Sequence, residues 1–244
     1  MGPLLRAALV AVSREPAEHM ALLTLHHIVA DGRSIGVLIR EIAALYTAFA
    51  EGRPSPLAPP PVQYPDFALW QRGWLTGPRI EELTAYWVET LRGTPVLELP
   101  TDLPRPAARS EHGGFVRRQL PAAITAGLSA LARRGQATRF MVLVAAWGAL
   151  LARTVGQLDL AIGAPVAGRT RPETEGLIGF FVNTIALRLD LSGATDFLSL
   201  LARSRQTALG AFGHQDLPFD KVVEAIQPAR DRSRSPLFQV MLAF

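Results

Sequence analysis

Two apolar runs open the chain, over residues 4–12 and from residue 20 onward, and the polar turn Arg14-Glu15-Pro16-Ala17-Glu18 separates them. This spacing predicts a strand, a turn and a second strand carried through residues 20–29. Ile35, Leu38, Ile39, Ile42, Leu45, Tyr46 and Phe49 then recur at helical spacing, with Gly52 and Pro54 as the stop. Residues 55–61 are mostly proline with small residues, an extended connector and a candidate boundary. Further helices are predicted over 81–92, 122–134, 138–153, 197–212 and 219–226, and strands over 158–162 and from 178 to about 191. The helix at 138–153 is apolar nearly all round, through Phe140, Leu143, Val144, Trp147, Leu150 and Leu151, and is expected in a core. Residues 97–109, rich in Pro and Arg, read as a surface crossing, and the charged loop from Arg230 feeds a last strand. Strands and helices are mixed without the regular crossovers of a doubly wound sheet, which fits two α/β lobes with a site between them.

The turn between the second strand and the first long helix reads His26-His27-Ile28-Val29-Ala30-Asp31-Gly32. On a strand, successive side chains alternate faces, so His26 and His27 are expected to point apart, one structural and one toward a substrate. A neutral imidazole is the commonest general base near neutral pH, and Asp31 can hold the turn by accepting backbone amides or an arginine. Gly32 permits a backbone conformation that other residues resist. The bland alternative, two satisfied core histidines and a helix-capping aspartate, gives the same letters.

Composition narrows the chemistry. With 244 residues, 49% of them hydrophobic, the chain can bury a sizeable core. The net charge is +4, Lys221 is the only lysine, and the arginines are scattered among acids rather than gathered on one face, so no nucleic-acid partner is implied. The absence of cysteine removes thiolate catalysis, disulfides and thiolate zinc sites. No signal peptide and no run approaching the roughly 18 apolar residues of a membrane span is seen, so the expectation is a cytoplasmic protein with no membrane partner.

Three later positions stand out. The turn Gly163-Ala164-Pro165-Val166-Ala167-Gly168-Arg169 lacks the Lys and Ser/Thr of a phosphate loop. Its Arg169 is either an exposed loop residue or the partner of a buried carboxylate, held through two parallel hydrogen bonds. Asn183 shares a strand face with Ile185, Leu187 and Leu189, so its amide needs either structural partners or a ligand. His214 reads first as a loop or capping residue.

Taken in order, these pieces resemble the condensation domain of nonribosomal peptide synthetases, within the chloramphenicol-acetyltransferase-like superfamily. His26-His27 through Asp31-Gly32 meets the HHxxxDG signature, and the stretches at 64–71, 178–184, 214–220 and 230–241 are similar to further family motifs. The resemblance implies two lobes in a V around a tunnel, with residues 1–58 the end of an N-terminal lobe and 59–244 a C-terminal lobe incomplete at its end. It also implies peptide-bond formation between a donor thioester and the amine of an acceptor, both on carrier proteins. No cofactor is bound, phosphopantetheine arriving on the donor and acceptor carriers, and an adjacent adenylation domain is implied as a further partner. By the same resemblance His27 positions or deprotonates the amine, and Gly32 offers a backbone amide to the oxyanion. Asp31 pairs with Arg169, His26 is scaffold, and Asn183 and Ser34 lie near the tunnel.

Arg33-Ser34 stands where many relatives have Trp-Ser, and the wording of the later motifs is closer to the subclass joining two L-residues. Family members carry further segments before the histidine strand and after the last motif, which implies a largely truncated N-terminal lobe here. The alternative is a non-catalytic module that keeps the histidine turn and serves carrier-protein or partner-domain interaction.

Overall fold

The computed structural model describes residues 2–15, 17–107, 112–228, 231 and 233–244. They gather into two compact units, Met1–Trp74 with Ala167–Val182 and Leu75–Val166 with Asn183–Phe244.

In the first unit β1 (Leu5–Arg14) and β2 (Ala17–Leu25) form an antiparallel hairpin, with Leu5 opposite Leu25 and a bulge between Ala11 and Ser13. The second strand stops at Leu25, short of the predicted residue 29, because the chain turns into one 3₁₀ turn over His27–Val29. Helix α1 (Gly32–Ala50) follows and closes with Arg53 N–H donating to the Ala48 carbonyl at 2.8 Å. Its buried positions are Ser34, Val37 and Ala48, while Ile39, Tyr46 and Phe49 of the apolar stripe stay exposed, as do Leu9, Val12 and Met20 of the hairpin. Helix α2 (Tyr64–Trp74) belongs to this unit, so the connector at 55–61 does not divide the two units. Tyr64 and Phe67 hold it there by packing on Phe181 at ring distances of 5.0 and 4.8 Å.

The second unit contains α3 (Gly77–Leu91), α4 (Ala122–Arg134), α5 (Arg139–Val155), β3 (Asp159–Val166), β4 (Asn183–Asp190), α6 (Phe197–Gly213) and α7 (Phe219–Ile226). Strands β3 and β4 pair antiparallel, and the chain leaves this unit between them. Gly163 of β3 also makes a parallel bridge to Met241, the only strand pairing the final segment makes among the described residues. A Cβ on Gly163 would stand 2.4 Å from the Phe238 ring, so only glycine lets that ring lie on the strand.

Leu83, Trp87 and Leu91 of α3 form one core with Val144, Leu160, Ile162, Ile185 and Leu187. Arg188 ties the sheet to the end of α3, donating from Nε and Nη2 to Asp159 at 2.9 and 2.7 Å and from Nη1 to the carbonyls of Thr90 and Arg92. Helix α5 is less enclosed than its composition predicts, because Trp147 and Leu150 remain exposed while Val142, Val144 and Ala145 are buried. No single helix among the described residues is long and apolar enough to cross a membrane.

Candidate active site

The histidine turn is built by local hydrogen bonding. His26 N–H donates to the Leu4 carbonyl at 2.8 Å, extending the hairpin ladder by one bond, and its ring Nδ1 accepts from Ile28 N–H at 3.1 Å. That bond caps the 3₁₀ turn and places the ring proton on Nε2. His26 and His27 are therefore not alternate residues of a strand, as the periodicity predicted: one caps a turn and the other is its first residue. His27 is exposed, and its ring meets Phe180 edge to face with centroids 5.2 Å apart.

Asp31 is the N-cap of α1, and 4% of it is exposed. Its Oδ1 accepts from the backbone N–H and the hydroxyl of Ser34, both at 2.8 Å, and its Oδ2 accepts from Phe181 N–H at 3.0 Å. Burial alone pushes this carboxyl up. The Ser34 and Phe181 amides, the Ser34 hydroxyl and the Arg169 guanidinium outweigh it and hold Asp31 below the ordinary carboxylate value.

Arg169, with 2% of its side chain exposed, lies 3.2 Å from Asp31 through Nη2. The two parallel hydrogen bonds expected of the pair do not form. Nη2 serves the carboxylate and the Ser34 hydroxyl, while Nη1 donates to the carbonyls of Thr174 and Leu177, and the guanidinium lies 4.1 Å over the Phe181 ring. Gly168, at φ +64°, makes this approach possible: a Cβ there would stand 1.8 Å from the Phe181 carbonyl oxygen.

The structure thus brings Asp31, Ser34 and Arg169 together, with Gly179 as the fourth member. Gly179 accepts from Asp31 N–H at 3.1 Å, and Ser34 Oγ lies 2.7 Å from its oxygen and 3.0 Å from its nitrogen. Ser34 has no exposed surface, so the side chain expected near a substrate is instead an interior hub, where the hydroxyl's one proton and two lone pairs meet four neighbours. Gly32 is the first residue of α1 and has a negative φ with open space around its Cα. Its glycine character is not required by the backbone, contrary to expectation. Its N–H is one of the donors that a helix cannot use internally.

Asn183 belongs to the other unit, where its Nδ2 donates to the carbonyls of Gln215 and Leu217 at 2.7 and 2.8 Å and its Oδ1 accepts from Phe219 N–H at 3.1 Å. Structural partners, rather than a ligand, satisfy this amide. His214 ends α6, with Nδ1 2.7 Å from the Gly210 carbonyl and its ring stacked 3.6 Å from Tyr86. Arg230 and Arg232, in the last motif, lie outside the described residues.

Sequence reasoning missed Tyr64 and the phenylalanine pair as site elements. Tyr64 Oη donates to the Phe180 carbonyl at 2.7 Å, and burial, helped by the Asp31 charge, raises its phenol above the ordinary value. Its stretch, 64–71, was marked only by its likeness to a family motif, because an aromatic residue reads as core packing until the carbonyl it bonds is known.

Comparison with solved structures defines the class. Over its whole length the chain superposes on 18% of a four-domain nonribosomal peptide synthetase bound to AMP and glycine, with a TM-score of 0.85 and 26% identity. Over 98% of its length it superposes on 54% of the X-domain from teicoplanin biosynthesis, with a TM-score of 0.88 and 33% identity. The family model described as Condensation domain matches residues 1–244, and the chain belongs to that family. It is 51% identical over 244 residues to malpibaldin synthetase of Mortierella alpina and 50% identical over 243 residues to a linear gramicidin synthase of Brevibacillus parabrevis. These alignments cover 100% and 99% of this chain but only 4% and 3% of those proteins.

Proposed function

We propose that this chain provides the histidine site of a peptide-bond-forming acyltransferase that joins a carrier-bound donor thioester to the amine of a carrier-bound aminoacyl acceptor, of the type joining two L-residues. The observation that carries the reading is the exposed His27 ring one turn ahead of α1, on a loop whose far side is locked by the Asp31 carboxylate. A neutral imidazole there can accept a hydrogen bond from the attacking amine and take its proton as the C–N bond forms. The C–S bond then breaks, and the proton passes to the departing thiolate of the carrier's phosphopantetheine. The Gly32 N–H, at the positive end of α1, supports the oxyanion of the tetrahedral intermediate. Burial of Asp31 and Arg169 gives them a positioning role, since neither offers a free surface to a substrate.

The test is a single-turnover assay with an aminoacyl donor carrier and an aminoacyl acceptor carrier, comparing the parent chain with His27→Ala. Amide formation that falls by about 10²-fold or more in the variant supports general-base catalysis. A variant that condenses at the parental rate overturns it.

A second reading is favoured by one comparison. A domain of the same fold, 33% identical to this chain, has been solved in complex with OxyB, another protein of teicoplanin biosynthesis. On that reading the chain recruits a partner. A folded parent chain that forms no amide, yet binds a carrier or neighbouring domain, supports this role.

A further inference from the structure

The one ring contact that His27 makes among the described residues comes from a residue about 150 positions away in sequence, and that residue is fixed with unusual completeness. Residue 179 is held by Ser34, whose Oγ accepts from its N–H at 3.0 Å and lies 2.7 Å from its oxygen, and by Asp31 N–H, which donates to the same carbonyl. The carbonyl of Phe180 accepts the Tyr64 hydroxyl at 2.7 Å, and the next N–H, of Phe181, donates to Asp31 Oδ2 at 3.0 Å. Three consecutive residues are thus anchored through their backbone from three side chains. Phe180, between its buried neighbours Gly179 and Phe181, stays 37% exposed. A large apolar ring held in the open by a buried clamp fills no core. Its neighbour is the His27 imidazole, with centroids 5.2 Å apart and planes 79° apart.

We infer that Phe180 is a positioning residue for His27: its clamped ring fixes the plane of the imidazole, so that the nitrogen meeting the amine points in one direction. The clamp of Asp31, Ser34 and Tyr64 thereby reaches the exposed histidine through the Phe180 ring, without a hydrogen bond to the imidazole. Edge-to-face rings prefer one mutual orientation, and an exposed side chain otherwise samples several rotamers. The kinetic half of this inference rests on the role given to His27 above.

The test uses Phe180→Leu, which keeps an apolar side chain but removes the ring, and Phe180→Trp, which restores an aromatic face. In the full chain labelled at its five histidines, the His27 ring resonance is expected to move in Phe180→Leu, with loss of the cross-peak to the Phe180 ring. Single-turnover condensation at saturating carriers is expected to slow by about three- to tenfold, the factor set by one aromatic pair, with the acceptor KM unchanged. Phe180→Trp should recover the rate. In a His27→Ala background Phe180→Leu should cost nothing further, since a residue that acts through His27 has no effect once His27 is gone.

An unmoved His27 resonance overturns the inference, as does an equal loss in both backgrounds. If His27→Ala condenses as fast as the parent, or neither condenses, the role of His27 fails and the kinetic half falls with it. The ring resonance needs no turnover and separates that failure from a failure of the packing.

Discussion

Arg169 meets Asp31 through one nitrogen: Nη2 lies 3.2 Å from Oδ1 and 3.5 Å from Oδ2, while Nη1 turns away to the carbonyls of Thr174 and Leu177. The guanidinium is thus a bracket between the cap of α1 and the loop of residues 174–177, rather than half of a forked pair. Removing it leaves a carboxylate buried among amides and a carbonyl pair without its donor.

Arg169→Ala is expected to destabilise the chain by about 3–5 kcal/mol, the range for breaking a buried pair from one side. Arg169→Lys should recover little of this, because one ammonium cannot reach acceptors on both sides of the bracket. Urea unfolding of the parent and both variants checks this. A loss under about 1 kcal/mol, the size of an exposed pair, would show that the bracket is open to solvent.

The lowered pKa of Asp31 sets the sign of a pH effect. Its carboxyl ionises below the ordinary value of 3.8 when folded, so the folded chain binds fewer protons than the unfolded chain between the two values. The resulting stability is present in full above the unfolded pKa and is lost as pH falls through the folded one. The acid limb of a stability profile should therefore fall below about pH 4 in the parent and be shallower in Asp31→Asn. Denaturant unfolding from pH 6 down to pH 2.5 measures both, and identical acid limbs would deny Asp31 this contribution.

The histidine motif and the helix after it were legible because a sequence pattern states local periodicity and punctuation directly. Helix α1 runs where Ile35 through Phe49 recur, with the cap at Asp31. What failed to read was the reach of each strand and the partner of each polar group. Strand β2 ends at Leu25 because His26 caps a 3₁₀ turn, and no periodicity distinguishes that from four more strand residues. Ser34 looked like a neighbour of the substrate because it sits beside the motif. Its partners Gly179 and Arg169 lie well over a hundred positions on, and only tertiary packing makes it interior. Asn183 was correctly seen to need partners, but its three are backbone groups that carry no mark in a sequence.

Two serines without exposed surface make opposite predictions. Ser34 Oγ has four neighbours within hydrogen-bond distance, so Ser34→Ala takes the acceptor from the Gly179 N–H and from one N–H of Arg169 Nη2, which keeps only Asp31, and should cost about 1–3 kcal/mol. Ser204, on α6, has a buried hydroxyl with no partner among the described residues. Ser204→Ala removes that burden and adds a better helix former, so stability should hold or rise by up to about 1 kcal/mol. Thermal unfolding of the two variants, side by side, should lower the midpoint of Ser34→Ala and leave or raise that of Ser204→Ala, and a fall for Ser204→Ala would mean that its hydroxyl is bonded after all.

Asn183 separates a structural amide from one that meets a ligand. Its Nδ2 bonds two carbonyls and its Oδ1 takes the Phe219 N–H at the start of α7, so the side chain stitches β4 to the 215–219 segment. Asn183→Ala should therefore lower stability by about 1–3 kcal/mol through the groups it leaves unpaired. Asn183→Asp is expected to be at least as costly. It retains an acceptor for Phe219 but replaces the donor by a carboxylate oxygen, facing the carbonyls of Gln215 and Leu217 at close range. Denaturant unfolding measures both, and hydrogen exchange at the Phe219 amide gives the local reading: protection there should fall in Asn183→Ala and survive better in Asn183→Asp. A variant that unfolds like the parent but loses condensation would instead return Asn183 to the substrate.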